Sequence, residues 1–280
     1  MSSGNAPTGV GKTALGVAMV RAQESRRSDR LFDDPYAAAF LAAVPGVFDH
    51  EQRAATARVG GIAAWGAAFS SHAVIRTRFF DDYLLNAAER GIRQVVLLAA
   101  GLDTRAYRLA WRAGTRLFEL DLPGVLDFKQ RVLAEQAAVA RCERRAIATD
   151  LRGDWTTPLI NAGLQPVEPI AWLAEGLLIY LSADEAAHLL ATVGDLSAAG
   201  SRVAFEFEDL GTDTMREQAR TTPAMAEYTA LWKGGLPDAP DWLAEHRWRP
   251  EVHNRAEVTA RYGRVVSGLS AGGFVTATRA

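Results

Sequence analysis

From Gln94 onward the chain is written as short apolar runs, each followed by turn residues and a helical stretch, and few architectures accept that pattern. Gln94 to Ala99 (QVVLLA) shows no polar–apolar alternation, which fits a strand buried on both faces. Arg116 to Asp121 (RLFELD) and Arg145 to Asp150 (RAIATD) read as the next strands, each ending in an aspartate, with helical spacing over Leu122 to Ala140 between them. Pro169 to Glu175 and Ser201 to Glu208 read as the fourth and fifth, separated by a helix over Ala183 to Ala199. Strands alternating with helices predict an α/β, doubly wound, mostly parallel sheet. Arg247 to His253 and Phe274 to Arg279 are candidate final strands, the last too close for a full crossover, so an antiparallel edge is expected.

Before Gln94 no strand is convincing. Thr13 to Arg27 has helical spacing, Asp34-Pro35 opens a short helix, and Glu51 to Arg90 reads as helices interrupted near Gly60-Gly61. The expected organisation is a helical cap over residues 1–90 and an α/β core over 91–280, together one compact domain. Met215 to Trp232 is predicted helical and Gly234 to Pro240 a loop, giving the core a lid insertion around 210–240.

Composition narrows the function. With 280 residues, 49% hydrophobic and 23% charged, the chain can bury a full core. Its 31 basic and 33 acidic residues nearly cancel to a net charge of -2, which argues against a general affinity for nucleic acid or anionic membrane. Only Lys12, Lys129 and Lys233 are lysines, so arginine is abundant here for compositional reasons and a single arginine carries little signal. The sole cysteine, Cys142, excludes an internal disulfide and leaves too few thiols for a zinc or iron–sulfur centre; no metal site is expected. None of the five histidines falls in a metal-ligand or Ser-His-Asp pattern. The start of the chain does not read as a signal peptide, and the apolar stretch Ile170 to Leu181 is too short for a membrane span, so a cytoplasmic protein is expected.

Two loops invite a phosphate reading and neither sustains it. Ala6 to Thr13 (APTGVGKT) nearly matches a P-loop, but Ala6 replaces the first glycine and only five residues precede it, too few for the strand that would aim its amides. Ala99 to Thr104 (AAGLDT) lies at the carboxyl edge of the first strand, where doubly wound sheets bind ligands, but has one glycine, Gly101, where a dinucleotide loop needs three. Asp103 at that helix start would repel phosphate and attract a cationic amine, which suits S-adenosylmethionine. The plainer alternative is that Asp103 caps the helix.

Asp121 follows Gly101 by 20 residues, the spacing of an acid that accepts from ribose hydroxyls, though a turn aspartate before Pro123 would look the same. Asp150, with the adjacent Leu151 amide, is a candidate for adenine and is equally a turn residue. Glu175 breaks an otherwise apolar run (AWLAEGLLIYL), and a buried carboxylate there needs a polar ligand or a basic partner. Arg76 and Arg78 are candidates for a carboxylate, with solvated arginines as the alternative.

The segments VVLLAAGLDTRAYRL (95–109), FELDLPGVLDFKQ (118–130), ATDLRGDW (148–155) and WLAEGLLIYL (172–181) together resemble one family: the bacterial branch of the leucine carboxyl methyltransferase-like, S-adenosylmethionine-dependent methyltransferases, which includes polyketide O-methyltransferases. The resemblance begins at GVGKTALGVAMVRAQE (9–24), continues through RLFDDPYA (30–37) and RTRFFDDYL (76–84), and reaches WLAEHRW (242–248) and RYGR (261–264). It implies a Rossmann-like fold with a seven-stranded sheet. It further implies that Arg76, together with Arg21, holds the methionyl carboxylate and that Ala99, Gly101 and Asp103 lie under the methionyl part. By the same resemblance Asp121 and Leu122 meet the ribose, Asp150 and Leu151 the adenine, and Glu175 the amino group. Ala99-Ala100-Gly101 stands where family members often have Gly-Ala-Gly, which narrows backbone approach.

The expected activity is methyl transfer to a carboxylate or hydroxyl of a small molecule, with Tyr180 placed to orient the acceptor; a core tyrosine is the alternative for that residue. A nicotinamide-dependent oxidoreductase and a non-catalytic S-adenosylmethionine-binding module are the competing readings.

Overall fold

The structure, a computed structural model, describes residues 10–46, 60–208, 230–264 and 272–280. The start of the P-loop-like stretch, residues 51–59, nearly all of the expected helix Met215 to Trp232 and the greater part of the expected lid lie outside the described residues.

Seven strands form one sheet in the order β3-β2-β1-β4-β5-β7-β6. They are β1 (Gln94–Leu98), β2 (Arg116–Asp121), β3 (Glu143–Ala148), β4 (Ile170–Ala174), β5 (Arg202–Glu208), β6 (Trp248–Asn254) and β7 (Gly272–Arg279). The first five run parallel, and β7 pairs antiparallel with both β5 and β6. The antiparallel pairing falls at the expected end of the sheet, but β7 is not outermost: it lies between β5 and β6. Pro250, which cannot donate to a ladder, sits accordingly on the edge strand β6.

Buried strands explain the continuous apolar runs. Val95 and Leu97 of β1 face one core with Leu117, Leu173 and Phe274, while Val96 and Leu98 face the other with Phe118, Trp172 and Phe205. The first core is covered by α1 (Val10–Ser25), α2 (Ala37–Ala42), the long α3 (Gly60–Glu89), the single turn α4 (Arg105–Arg108) and α5 (Pro123–Glu135), through residues such as Leu15, Phe40, Ile75 and Phe128. The second is covered by α6 (Thr156–Asn161), α7 (Ala183–Asp195) and α8 (Ala239–Glu245), through Leu159, Leu190 and Leu243. A final helix, α9 (Arg255–Arg261), links β6 towards β7.

Local chemistry sets the boundaries. Pro123 starts α5, as its fixed φ favours. Ser182 and Glu185 close a reciprocal capping box on α7. At the head of β1 the fully buried Gln94 donates Nε2 to the Gln165 carbonyl at 2.9 Å and accepts from the Gln165 amide at 2.8 Å, fixing the approach to β4.

One element boundary matters for the site. β4 ends at Ala174, within a residue of the expected end at Glu175, and Leu178–Tyr180 then form a turn of 3-10 helix. Glu175 therefore stands on the turn leaving β4, followed by Gly176 at φ +65.

Candidate active site

The chain moves outward from β1 to β2 and β3, then returns to the other side of β1 with β4 and β5. This reversal falls at the carboxyl ends of β1 and β4, where sheets of this kind usually bind their ligands. Ala99 to Asp103, Asp121, Glu175 and Glu206 all stand at that end.

The β1 loop is held by its own backbone geometry and by β2. Ala99 and Gly101 both adopt left-handed φ values, +53 and +49. Asp121 Oδ2 accepts the Gly101 amide at 2.6 Å and Oδ1 the Leu122 amide at 2.7 Å. A side chain at position 101 would also approach Ala14 of α1, 3.4 Å from the position of its Cβ, so glycine suits both the turn and the helix pressed against it. Leu122 beside it is 44% exposed, an apolar surface at the mouth. Burial raises the Asp121 carboxyl above the ordinary range, outweighing the Gly101 and Leu122 amides that favour its anion.

Behind this loop lies an ion-pair network centred on Arg105, which is 1% exposed. Its Nε donates to Asp81 Oδ1 at 2.6 Å, its Nη1 to Glu175 Oε2 at 2.7 Å and to Asp103 Oδ2, and its Nη2 to the Thr77 carbonyl at 3.2 Å. Arg108 takes both oxygens of Asp81, at 2.6 and 2.7 Å. Arg76, on α3, donates Nε to Glu175 Oε1 at 2.9 Å and Nη1 to Glu206 Oε1 at 3.0 Å. Glu206 Oε1 also accepts the Gly176 amide at 2.8 Å. These guanidiniums outweigh burial at the acids: Asp103 is held at about 2, chiefly by Arg105, and Glu175 is lowered by Arg105 and Arg76.

The structure thus brings Arg76, Asp103 and Glu175 together and places Asp121, Leu122 and Gly101 beside them. Arg21 joins from below: its Nη2 donates to the Leu102 carbonyl at 2.7 Å and its Nε faces Asp34 at 3.5 Å, so it braces the loop. Tyr180 lies half-buried on the turn after β4, in the neighbourhood of Arg76. Asp150 and Leu151 follow β3; Leu151 packs on the second core and Asp150 pairs with the exposed Arg152.

Two expectations need revising. Arg78 does not join Arg76: two residues on in the same helix it faces elsewhere, pairing with Asp82 at 3.0 Å and donating to the Leu31 carbonyl. Asp103 does not present a bare negative charge, because Arg105 neutralises it; its Oδ1 also accepts the Arg105 amide at 2.6 Å, as the capping alternative requires. Arg105, Asp81 and Glu206 were not singled out from sequence. The available signal for Arg105 was its place two residues after Asp103 in the glycine loop, obscured by the general abundance of arginine.

The donor set suits S-adenosylmethionine. An uncharged-partner carboxylate at Asp121 matches hydroxyl donors, and a guanidinium next to a carboxylate, Arg76 with Glu175, matches an amino acid zwitterion. Residues 14–194 match the leucine carboxyl methyltransferase family. A Frankia alni protein provisionally named as an S-adenosyl-L-methionine-dependent methyltransferase is 53% identical over 98% of this chain and 95% of its own length. This chain belongs to the leucine carboxyl methyltransferase family.

It is an S-adenosylmethionine-dependent methyltransferase, which sets aside the oxidoreductase reading. Solved structures share its fold at low identity. A provisionally named methyltransferase from Thermobifida fusca superposes with a TM-score of 0.58 at 18% identity, covering 90% of this chain and 94% of that one. The magnesium protoporphyrin IX methyltransferase of Synechocystis, solved with S-adenosylhomocysteine bound, superposes with a TM-score of 0.50 at 12% identity over 85% of this chain and 99% of that one. No described helix of this methyltransferase is long and apolar enough to cross a membrane.

Proposed function

We propose that this enzyme methylates an oxygen, a carboxylate or hydroxyl, of a small cytoplasmic molecule of polyketide-like or simpler acid character. Arg76 takes the cofactor's carboxylate and Glu175 its ammonium, over the loop Ala99 to Asp103 that Arg21 braces. Asp121 and Leu122 meet the ribose, Asp150 and Leu151 the adenine, and Tyr180 stands on the acceptor side.

S-Adenosylmethionine, when bound, supplies a methyl group already activated on a sulfonium, so alignment and exclusion of water are the work left to the chain. The observation that supports oxygen as the nucleophile is the ion pairing of Asp103 and Glu175; Asp121, whose carboxyl is raised by burial, is given to the ribose in this reading. Asp103 and Glu175 are held as anions by Arg105 and Arg76 and are poor proton acceptors. An amine, mostly protonated at neutral pH, would need a base; a carboxylate needs none, and an acidic phenol needs little help. The test is transfer from methyl-labelled S-adenosylmethionine to matched panels of acids, phenols and amines. Label released as methanol by alkali marks an ester, and mass spectrometry identifies an alkali-stable ether. Transfer confined to the amines would overturn the reading.

A further inference from the structure

Glu206, on β5, stands outside every motif read from the sequence, yet a single oxygen of it ties together two parts of the site. Its Oε1 accepts from Arg76 Nη1 at 3.0 Å and from the Gly176 amide at 2.8 Å. Gly176 directly follows Glu175, so the same atom fixes the arginine and the turn that carries the arginine's other partner. The guanidinium packs directly on this turn: a Cβ at position 176 would stand in ordinary contact with Arg76 Nη1, at 3.6 Å, and Nη2, at 3.7 Å, while the φ of +65 favours glycine there.

What this does to Arg76 follows from guanidinium geometry. A guanidinium with one carboxylate partner prefers a two-bond fork, and the side-on fork uses Nε and Nη2 together. Here Nε donates to Glu175 and Nη1 is drawn to Glu206, while Nη2 makes no hydrogen bond to the described residues. Without Glu206, Arg76 is free to close both Nε and Nη2 onto Glu175, satisfying the pair internally and withdrawing it from any ligand.

We infer that Glu206 is a positioning residue for cofactor binding, which keeps Arg76 and Glu175 from collapsing onto each other and so leaves a donor and an acceptor open to the amino acid end of S-adenosylmethionine. The inference rests on the proposed roles of Arg76 and Glu175. It separates Glu206 from a residue that merely supports the fold, because its effect is confined to ligands bearing the ammonium and carboxylate.

The test titrates the native chain, Glu206→Gln and Arg76→Leu by calorimetry with S-adenosylmethionine and with 5′-methylthioadenosine, which keeps the nucleoside and lacks the amino acid end. Glu206→Gln is expected to raise the Kd for S-adenosylmethionine at least tenfold and to leave that for 5′-methylthioadenosine within twofold. Equal weakening of both ligands, or no weakening of either, overturns the inference. If Arg76→Leu fails to weaken S-adenosylmethionine selectively, the assignment of Arg76 is at fault; if it does so and Glu206→Gln does not, the inference about Glu206 alone falls. Should Glu206→Gln not fold, Glu206→Asp reads the same ratio, since its carboxylate is one methylene too short to hold Arg76 and Gly176 together.

Discussion

Replacing Arg105 by methionine separates the partners that have a second cation from the one that does not. Asp81 keeps two hydrogen bonds from Arg108, and Glu175 keeps Arg76. Asp103, 8% exposed, loses its guanidinium partner and keeps only the backbone amide of residue 105. In the native protein its carboxyl sits at about 2. Against an ordinary value of ~3.9, that depression contributes about 2.5 kcal/mol of stability above pH ~4, lost as pH falls towards 2. In Arg105→Met the sign is expected to reverse: burial raises the carboxyl, and the remaining cations that lower it, Lys129, Arg21 and Arg108, make no hydrogen bond to it. The penalty is then full at neutral pH and is relieved as acid protonates the group. Breaking a buried pair on one side costs about 3–5 kcal/mol. Urea unfolding of both proteins should show a gap of that size at pH 7, narrowing by about 1 kcal/mol at pH 5. A gap below about 1 kcal/mol at pH 7, or one that does not narrow in acid, would refute the reasoning.

The buried trio beneath β2 makes a second prediction: Glu119 accepts from Lys129 at 2.8 Å and Arg144 at 2.7 Å. Glu119→Gln leaves two cations without a counter-charge whereas Lys129→Met leaves a matched pair, so thermal unfolding should find the former more damaging by about 1–3 kcal/mol, and the reverse order would contradict the charge accounting. Gly101→Val should cost about 2–3 kcal/mol in denaturant unfolding, since a β-branched residue at φ +49 is strained and would press on Ala14; a loss under about 0.5 kcal/mol would show that the turn is not held as described.

The strands were legible because a strand buried on both faces leaves a largely apolar run, unbroken in β1 and β4 and interrupted by one glutamate in β2 (Glu119) and β5 (Glu206). The end of β4 was legible because Glu175 interrupts the apolar run there; the apolar side chains that follow it belong to a turn. The loop glycine, Asp121 and Glu175 could be found because backbone turns and lone acids in apolar runs are local features. The network around Arg105 could not, since it joins α3, the β1 loop and the β4 turn, which meet only in the folded chain. Arg76 and Arg78 were separable in principle: two residues on a helix stand roughly 200° apart, so only one can face a given site.

The position of β7 bears on how the protein is made. Synthesis delivers β6 before β7, yet in the sheet β7 lies between β5 and β6. A nascent chain therefore cannot complete its sheet by adding each strand to the last. Until β7 emerges, β5 carries an unpaired border and β6 has no strand to pair with, so the half of the sheet holding Glu206 is completed last. Ribosome-stalled chains ending before Gly272 should expose that border to chaperones or to one another, while the β1–β4 half is already able to form.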